Sequence, residues 1–166
     1  MSLNYIFRRR SIRKYTDEPV SNEQIKSILE AAMAAPSAHN YKPWHFIVIK
    51  NRSNLDHIAD IHPYGKMLYQ APLAIAVCGN KKISPDLWIQ DCSAATENIL
   101  LALPELGLGG VWLGCYPIDS KKIAAKELLL LPDEIELLSI IAIGYPAEDK
   151  KSRTQFDEKC IHYEKW

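Results

Sequence analysis

Apolar residues recur early in the chain at the spacing of a helix that buries one face. They follow each other at three- and four-residue intervals, which place side chains on one side of an α-helix. The set comprises Ile25, Ile28, Leu29, Ala32 and Met33. Before it, Ser21 and Gln24 stand three residues apart, as the two polar residues of a capping box do. The pattern predicts an amphipathic helix that begins after Ser21 and ends before Pro36.

Further along the chain, short runs of apolar and β-branched residues are typical of buried strands. The runs are Trp44 to Ile49, Leu73 to Cys78, Leu108 to Leu113 and Leu137 to Tyr145. Helical spacing recurs between them, over Ser53 to Ile61, over Ser84 to about Leu106, and from a cap at Asp119 to about Leu130. The C-terminal segment is polar and irregular, which predicts a frayed tail. Helices interleaved with strands indicate an α+β or α/β layered domain, and the pattern leaves the topology open.

Composition narrows the class of protein. The chain has 166 residues, of which 48% are hydrophobic and 24% are charged, as is ordinary for one globular domain. The 20 basic residues balance 20 acidic ones, and this neutrality argues against a dedicated nucleic-acid binder. The longest apolar stretch, Leu137 to Ile143, is too short to span a bilayer. The 4 cysteines have no CxxC spacing, which indicates unpaired thiols in a reducing cytoplasm and no metal site.

Motifs of several common enzyme classes are missing from the sequence, which has no GxSxG elbow, HExxH pair or GxxxxGK[ST] loop. Gly107, Gly109 and Gly110 have part of the spacing of a dinucleotide fingerprint, but Trp112 stands at its third glycine position. The segment also leads from a predicted helix into a strand, whereas a dinucleotide loop leads from a strand into a helix. We therefore exclude this fingerprint.

A basic segment near the start of the chain has the residue types of a phosphate site. It combines Arg9, Arg10 and Arg13 with Ser11, and guanidinium groups together with a hydroxyl suit a phosphate. A solvated basic turn at the surface explains the same residues. Both interpretations stay open at this point.

Two further segments are candidates for ligand binding. Residues 35–44 follow the first predicted helix and carry small and amide side chains between two prolines; they suit a loop that wraps a planar ligand, although a plain connector fits equally. Lys151 and Arg153 stand two residues apart in the tail. In an extended chain both would point the same way and reach one anion, and exposed solubilising charge is the alternative.

Taken together and in this order, these segments resemble the FMN-dependent nitroreductase family. RRSIRKY at residues 9–15, with the capped helix behind it, resembles the start of that family, and APSAHNYKPWHF at 35–46 is similar to its second motif. Residues 91–114 resemble its central helix and the following strand. Gly144-Tyr145-Pro146 with Lys151 and Arg153 is similar to its closing motif. The resemblance covers nearly the whole chain and is specific for fold and cofactor, not for substrate.

The resemblance implies that residues 1–166 form a single FMN-binding domain of the α+β class. The expected architecture is a three-layer α/β/α sandwich around a mixed, mainly antiparallel sheet of four to five strands, in an intertwined homodimer. The apolar segment from Ser84 to about Leu106, which requires more burial than one small domain readily offers, fits a place at the dimer interface.

Site residues also follow from the resemblance. It assigns the FMN phosphate to Arg9, Arg10, Ser11, Lys151 and Arg153, and the pyrimidine edge of the flavin to Arg13. The remaining implied cofactor-binding residues are Pro36, Ser37, Ala38, His39 and Asn40 from the second subunit, Lys66, and Trp112, Leu113 and Gly114 beside the ring.

The implied function is an FMN-dependent NAD(P)H oxidoreductase. It would pass hydride from NADH or NADPH through flavin N5 to nitroaromatics, quinones or similar electron-poor acceptors in a ping-pong order, without a catalytic side chain, since the flavin carries the chemistry. The segment between Cys78 and Trp88 is too short for the lid helices of longer members, so an open site is expected. Two alternatives stay open: a specialised reaction of the same fold (dehalogenation, flavin fragmentation or ring oxidation) and a non-catalytic flavin-binding module.

Overall fold

A computed structural model describes residues 3–117 and 119–166 of the chain, and the side chains of these except for residues 119–123. Helices and strands alternate along the described residues. In chain order they are α1 (Asn4–Arg8), α2 (Asn22–Met33), β1 (Trp44–Ile49), α3 (Arg52–Ile61), β2 (Leu73–Asn80), α4 (Trp88–Ala102), β3 (Gly109–Gly114), α5 (Asp119–Leu128) and β4 (Ile135–Gly144). Short 3₁₀ turns cover Ala38–Asn40, Lys66–Tyr69, Leu103–Leu106 and Glu158–Cys160.

The predicted capping box defines the start of α2. The Ser21 side chain accepts the N–H of Gln24 at 3.1 Å, and the Gln24 side-chain oxygen accepts the N–H of Ser21 at 3.0 Å. α3 begins in a similar way, because the Asn51 side chain accepts the N–H of Asn54 at 3.1 Å. The predicted cap at Asp119 falls on the residues whose side chains are not described.

The long helix α4 is shorter than the sequence predicts. It begins at Trp88 instead of Ser84, because the chain before it turns back on itself and the N–H groups of Ile83 and Ser84 both bond to the Asn80 carbonyl. At its other end the helix tightens into a 3₁₀ turn, since Pro104 has no N–H for the helical hydrogen bond. Gly107, with φ of 72°, ends this turn in the left-handed conformation.

In the described residues four strands form one sheet in the order β1-β2-β4-β3, and every neighbouring pair is antiparallel. The central strands β2 and β4 read as almost continuous apolar runs because both of their faces are covered, whereas β1 and β3 form the edges. The parallel part of the predicted mixed sheet is limited to one bridge, between Ser11 and Gly110. This bridge brings the basic segment to the β3 edge.

Helices cover both faces of the sheet, as the predicted three-layer sandwich requires. One apolar core lies beneath α2 and α4, and the other lies beneath α3, the Lys66–Tyr69 turn and α5. Helix α4 crosses the sheet and buries Cys92, Thr96 and Ile99. The structure therefore confirms the α+β class. It also places the basic segment beside the β3 edge.

Two further features bear on function. In the part of the chain that the structure describes, no helix is long and apolar enough to cross a membrane. The thiols of Cys78, Cys92 and Cys115 are buried and that of Cys160 is exposed, and none of the four forms a disulfide bond in the described part of the chain. Burial raises the pKa of the Cys78 and Cys92 thiols to about 12, so neither thiol is set up as a nucleophile.

Candidate functional site

The basic segment is fixed along the β3 edge. The N–H of Ile12 donates to the Gly110 carbonyl at 3.0 Å, and Ile12 packs on Gly109, where a Cβ would lie 2.6 Å from its Cγ1. The Tyr15 hydroxyl is directed at the carbonyls of Ile12, at 2.6 Å, and Ala142, at 3.2 Å. Burial raises the pKa of Tyr15 well above its ordinary value, so the hydroxyl keeps its proton and remains a donor.

The tail beyond β4 returns along the same segment. Backbone hydrogen bonds join Thr16 to Tyr145 at 2.9 Å and Ala147 to Lys14 at 2.9 Å. Further along, the N–H of Arg153 donates to the Phe7 carbonyl at 3.1 Å. Up to Arg153 the tail is thus held by the basic segment and by α1, and the predicted fraying does not apply to this part.

Two charged tail residues hold the backbone between Ser11 and Arg13. The Glu148 carboxylate accepts the N–H of Arg13 at 2.6 Å. Lys150 donates to the Ser11 carbonyl at 2.6 Å and lies 3.1 Å from Glu148. Mainly because of the hydrogen bond from Arg13, the pKa of Glu148 is below its usual value. The side chains of Ser11 and Arg13 therefore project from a backbone that is fixed on both sides.

Arg9 and Arg153, from opposite ends of the chain, line one cavity, which we term the Arg9 cavity. Apolar side chains of Ile6, Phe7 and Phe156, polar ones of Thr154 and Gln155, and the carboxylate of Glu97 complete its lining. Glu97 Oε1 lies 3.6 Å from Arg9 Nε. Two guanidinium groups directed into one cavity suit an anionic group with several acceptor oxygens.

Arg13 lines a separate groove along the end of β3, which we term the Arg13 groove. Its other lining residues are His62, Tyr64 and residues 111–114, and its volume of ≈ 350 Å³ falls in the range of small-ligand sites. A Cβ at Gly114 would meet no described atom within 4 Å. The strand therefore presents bare backbone to the groove, as a site for close approach of a planar ligand does.

His62 connects the groove to the loop after α3. Its ring is buried, Nδ1 accepts the N–H of Tyr64 at 3.2 Å, and Nε2 lies 3.1 Å from the Gly114 carbonyl. Because Nδ1 is an acceptor, the neutral ring carries its proton on Nε2 and donates it to Gly114. His62 thus fixes the end of β3, while the Tyr64 side chain is 73% exposed at the groove.

The structure separates two residues that the sequence interpretation assigned to the same anion. Lys151 lines another cavity, together with Arg10 and Lys150, and Arg153 lines the Arg9 cavity. The reason is that the two residues are tied to different places: Arg10 donates to the Lys151 carbonyl, and the Arg153 N–H bonds to Phe7. Arg10 Nε is buried and has no partner among the described residues.

The Pro36–Asn40 loop lies apart from both sites within one chain. It packs at the start of α4, where the buried carboxylate of Asp91 accepts the N–H of Ala38 at 2.9 Å. His39 and Asn40 have positive φ values of 51° and 55°, a conformation that costs free energy in residues other than glycine. The loop is therefore held in a specific shape, and it lines neither the Arg9 cavity nor the Arg13 groove.

Lys66 does not line the groove either. Its ammonium lies 5.3 Å from the centre of the Tyr69 ring, and Tyr69 in turn donates to Asp60. The nearby His62 and Tyr64 line the groove instead.

His62, Glu97 and Glu148 are candidate site residues that the sequence did not single out, because a pattern in one chain does not show which distant backbone group or cation each of them contacts.

Comparisons with known proteins identify a family and several relatives that this chain resembles. A model of the nitroreductase family matches residues 6–62 and 61–145. A Methanothermobacter thermautotrophicus protein, provisionally named an NADH dehydrogenase/NAD(P)H nitroreductase, is 48% identical over 99% of this chain and 87% of its own. An FMN-dependent nitroreductase from Clostridium difficile is 33% identical and superposes with a TM-score of 0.94 over 99% of this chain and 100% of that one. A provisionally named nitroreductase from Desulfovibrio desulfuricans, solved in complex with FMN, is 34% identical, with a TM-score of 0.84 over 99% and 96% of the two chains.

Proposed function

The chain belongs to the nitroreductase family, and on this premise we propose that it reduces electron-poor acceptors such as nitroaromatics and quinones with hydride from NADH or NADPH. It is an FMN-dependent oxidoreductase. The observation that carries the proposal is the convergence of Arg9 and Arg153 on one cavity, with Arg13 and the bare backbone at Gly114 lining the groove along β3.

The described residues fit both ends of FMN. In the Arg9 cavity, Arg9 and Arg153 would hold the phosphate, and Arg153 has no ion-pair partner among the described residues. Ser11, whose carbonyl accepts a hydrogen bond from Lys150 at 2.6 Å, would add a hydroxyl donor. The flat ring system would approach the strand at Gly114, where a Cβ would meet no described atom within 4 Å.

Arg13 has the electrostatic role in the groove. When bound, FMN supplies the hydride-transfer chemistry that no side chain of this chain provides. A guanidinium at the electron-rich edge of the ring stabilises the negative charge that reduction places there. Glu148 supports this role, since it fixes the Arg13 backbone without forming an ion pair with the guanidinium.

We further propose that the working form is a homodimer in which a second copy supplies Pro36–Asn40 to the site. Within one chain this loop is rigidly anchored on Asp91 yet lines neither site. The tail beyond Arg153 leaves Phe156, Tyr163 and Trp166 exposed by 74%, 85% and 101%. Large uncovered apolar side chains are typical of an interface.

One FMN-binding domain over residues 1–166 and a cytoplasmic location complete the proposal. A single sheet in the described residues supports the single domain. Cysteines without disulfide bonds support the cytoplasmic location.

Steady-state kinetics test the reaction type. Initial rates are measured with NADPH, then NADH, against a nitroaromatic and a quinone. A ping-pong order, in which both substrates use the Arg13 groove in turn, gives parallel double-reciprocal lines, and intersecting lines would contradict it. Oxidation of the nicotinamide without turnover of either acceptor would favour a specialised reaction, and no oxidation would favour a binding module.

A further inference from the structure

The Arg9 cavity contains a carboxylate where the proposed function needs an anion to bind. Glu97 projects from α4 into this cavity, with its side chain 47% exposed, and its Oε1 lies 3.6 Å from Arg9 Nε. Partial burial raises the pKa of Glu97, and the positive charge of Arg9 acts in the opposite direction. Among the described lining residues, Glu97 is the acidic one.

The length of the Arg9–Glu97 contact decides between two roles for this carboxylate. A carboxylate that orients an arginine for a ligand holds it through charge-assisted hydrogen bonds of about 2.7–2.9 Å. At 3.6 Å the contact is an ion pair outside hydrogen-bonding range. Glu97 therefore neutralises part of the Arg9 charge without fixing the direction of its planar fork.

We propose that Glu97 is an affinity-determining residue, which competes with the phosphate of the ligand for Arg9 and so weakens the binding of FMN. The inference rests on the proposed function, because it takes a phosphate ester as the occupant of the Arg9 cavity. Entry of the phosphate places a second negative charge beside Glu97, and a like charge favours the protonated carboxyl. Binding of FMN is then coupled to uptake of a proton by Glu97.

The other charged groups of the cavity do not obscure this coupling. Arg9 and Arg153 face Glu97 from the basic segment and from the tail, and guanidinium groups stay protonated at all working pH values. Thr154, Gln155 and the apolar lining residues are uncharged. The phosphate itself titrates with a second pKa of about 6, so each measurement compares the wild type with a variant on the same ligand.

The first experiment measures dissociation constants of the full-length apoprotein for FMN and for riboflavin, which lacks the phosphate. Glu97→Gln removes the charge and keeps the shape, so FMN should bind roughly fivefold more tightly at neutral pH, the size expected for one unit charge at this distance in water. Its affinity for riboflavin should not change. The ratio of wild-type to variant dissociation constants for FMN should fall towards one as the pH is lowered far enough to protonate Glu97.

Glu105→Gln is the matched control. Glu105 forms an ion pair with Arg8 at the same 3.6 Å, its side chain is 63% exposed, and it does not line the Arg9 cavity. This variant should bind FMN as the wild type does.

Titration calorimetry in buffers of different ionisation enthalpy counts the protons taken up with FMN. The wild type should take up more protons than Glu97→Gln in mildly acidic buffer, and equal uptake would overturn the inference.

The binding experiment can overturn the inference as well. Unchanged FMN binding by Glu97→Gln would do so, and weaker binding would show that Glu97 orients Arg9 instead. Equal tightening for FMN and riboflavin would exclude competition with the phosphate. A wild type that binds neither flavin would overturn the proposed function, and this inference with it.

Discussion

The glycines of β3 lie in one short strand, but the reason for a glycine differs from one position to the next. A Cβ at Gly110 would lie 2.6 Å from Leu103 Cδ1 and 2.8 Å from the Ala142 carbonyl, so the packing of the chain itself requires glycine there. At Gly114 no described atom lies within 4 Å of such a Cβ. The packing of the described residues therefore does not require glycine at position 114, where the missing side chain leaves the Arg13 groove open. The repeated glycines in the sequence cannot show this distinction.

The Gly114→Leu variant separates binding from folding. Its free energy of unfolding should stay within about 0.5 kcal/mol of the wild type, as for surface substitutions in general. FMN affinity should fall at least about tenfold, because the new side chain occupies space beside the ring. Gly110→Ala is the reverse control, and its unfolding free energy should fall by about 1–3 kcal/mol because of overpacking. Fluorescence titration with FMN and urea unfolding measure the two effects; normal FMN binding by Gly114→Leu would contradict the assigned groove.

Arg13 and its neighbour Lys14 form a charge-matched pair for testing the cation in the groove. Arg13 lines the groove, whereas Lys14 is exposed and lines neither the groove nor the Arg9 cavity. Arg13→Ala should weaken FMN binding or slow flavin reduction by roughly tenfold or more, as expected for a charge-assisted contact worth about 1.5–3 kcal/mol. Lys14→Ala should have little effect. Equal effects in stopped-flow reduction and FMN titration would show that a different cation acts in the groove.

At the scale of elements, patterns that repeat locally were predictable, and contacts between distant segments were not. The α2 helix and the four strands formed where apolar spacing and the Ser21 capping box placed them. The predicted start of α4 is wrong because the chain turns after Asn80. Backbone hydrogen bonds hold this turn, and they leave no apolar pattern in the sequence. The sequence does not predict that the tail is held in place up to Arg153. Its polar side chains bind backbone groups near the other end of the chain, as Glu148 does at Arg13.

The contact between tail and basic segment should depend on pH through Glu148. The pKa of Glu148 is lowered in the folded chain, so its carboxylate contributes stability above the unfolded pKa, and this contribution is lost as the pH falls through the folded pKa. The difference in unfolding free energy between the wild type and Glu148→Gln should therefore be largest near neutral pH and shrink below the ordinary carboxyl pKa of 4.5. Urea unfolding across this pH range measures it.

Asp149→Asn serves as the control for this titration, since Asp149 is the exposed neighbour of Glu148. It should follow the wild-type pH dependence. A Glu148→Gln difference that stays constant as the pH falls would contradict the role of the ionised carboxylate.

At the scale of the whole molecule, one chain presents only part of the proposed site. The anchored Pro36–Asn40 loop lies at the start of α4, away from the Arg9 cavity, and the end of the tail is uncovered. In the sequence, the dimer is implied by the family resemblance, and the apolar segment from Ser84 to about Leu106 only fits it. The exposed aromatic residues of the tail are an independent reason to propose it.

Deletion of residues 157–166 tests the dimer while it retains Arg153 and Phe156, which line the Arg9 cavity. The full chain should sediment as a dimer, and the shortened chain should dissociate to a monomer that holds FMN more weakly, because the apolar tail no longer covers a second copy. Sedimentation equilibrium measures the assembly. A monomeric full chain, or a shortened chain that remains dimeric, would contradict this use of the tail.

The visible absorption spectrum of the purified protein shows whether these segments build an FMN oxidoreductase. The spectrum is taken first as purified or after addition of FMN, and again after anaerobic addition of NADPH and then of NADH. We expect the bands of oxidised flavin, followed by their loss once a nicotinamide is added. Protein that acquires no flavin bands even with added FMN, or bands that neither nicotinamide bleaches, would contradict it.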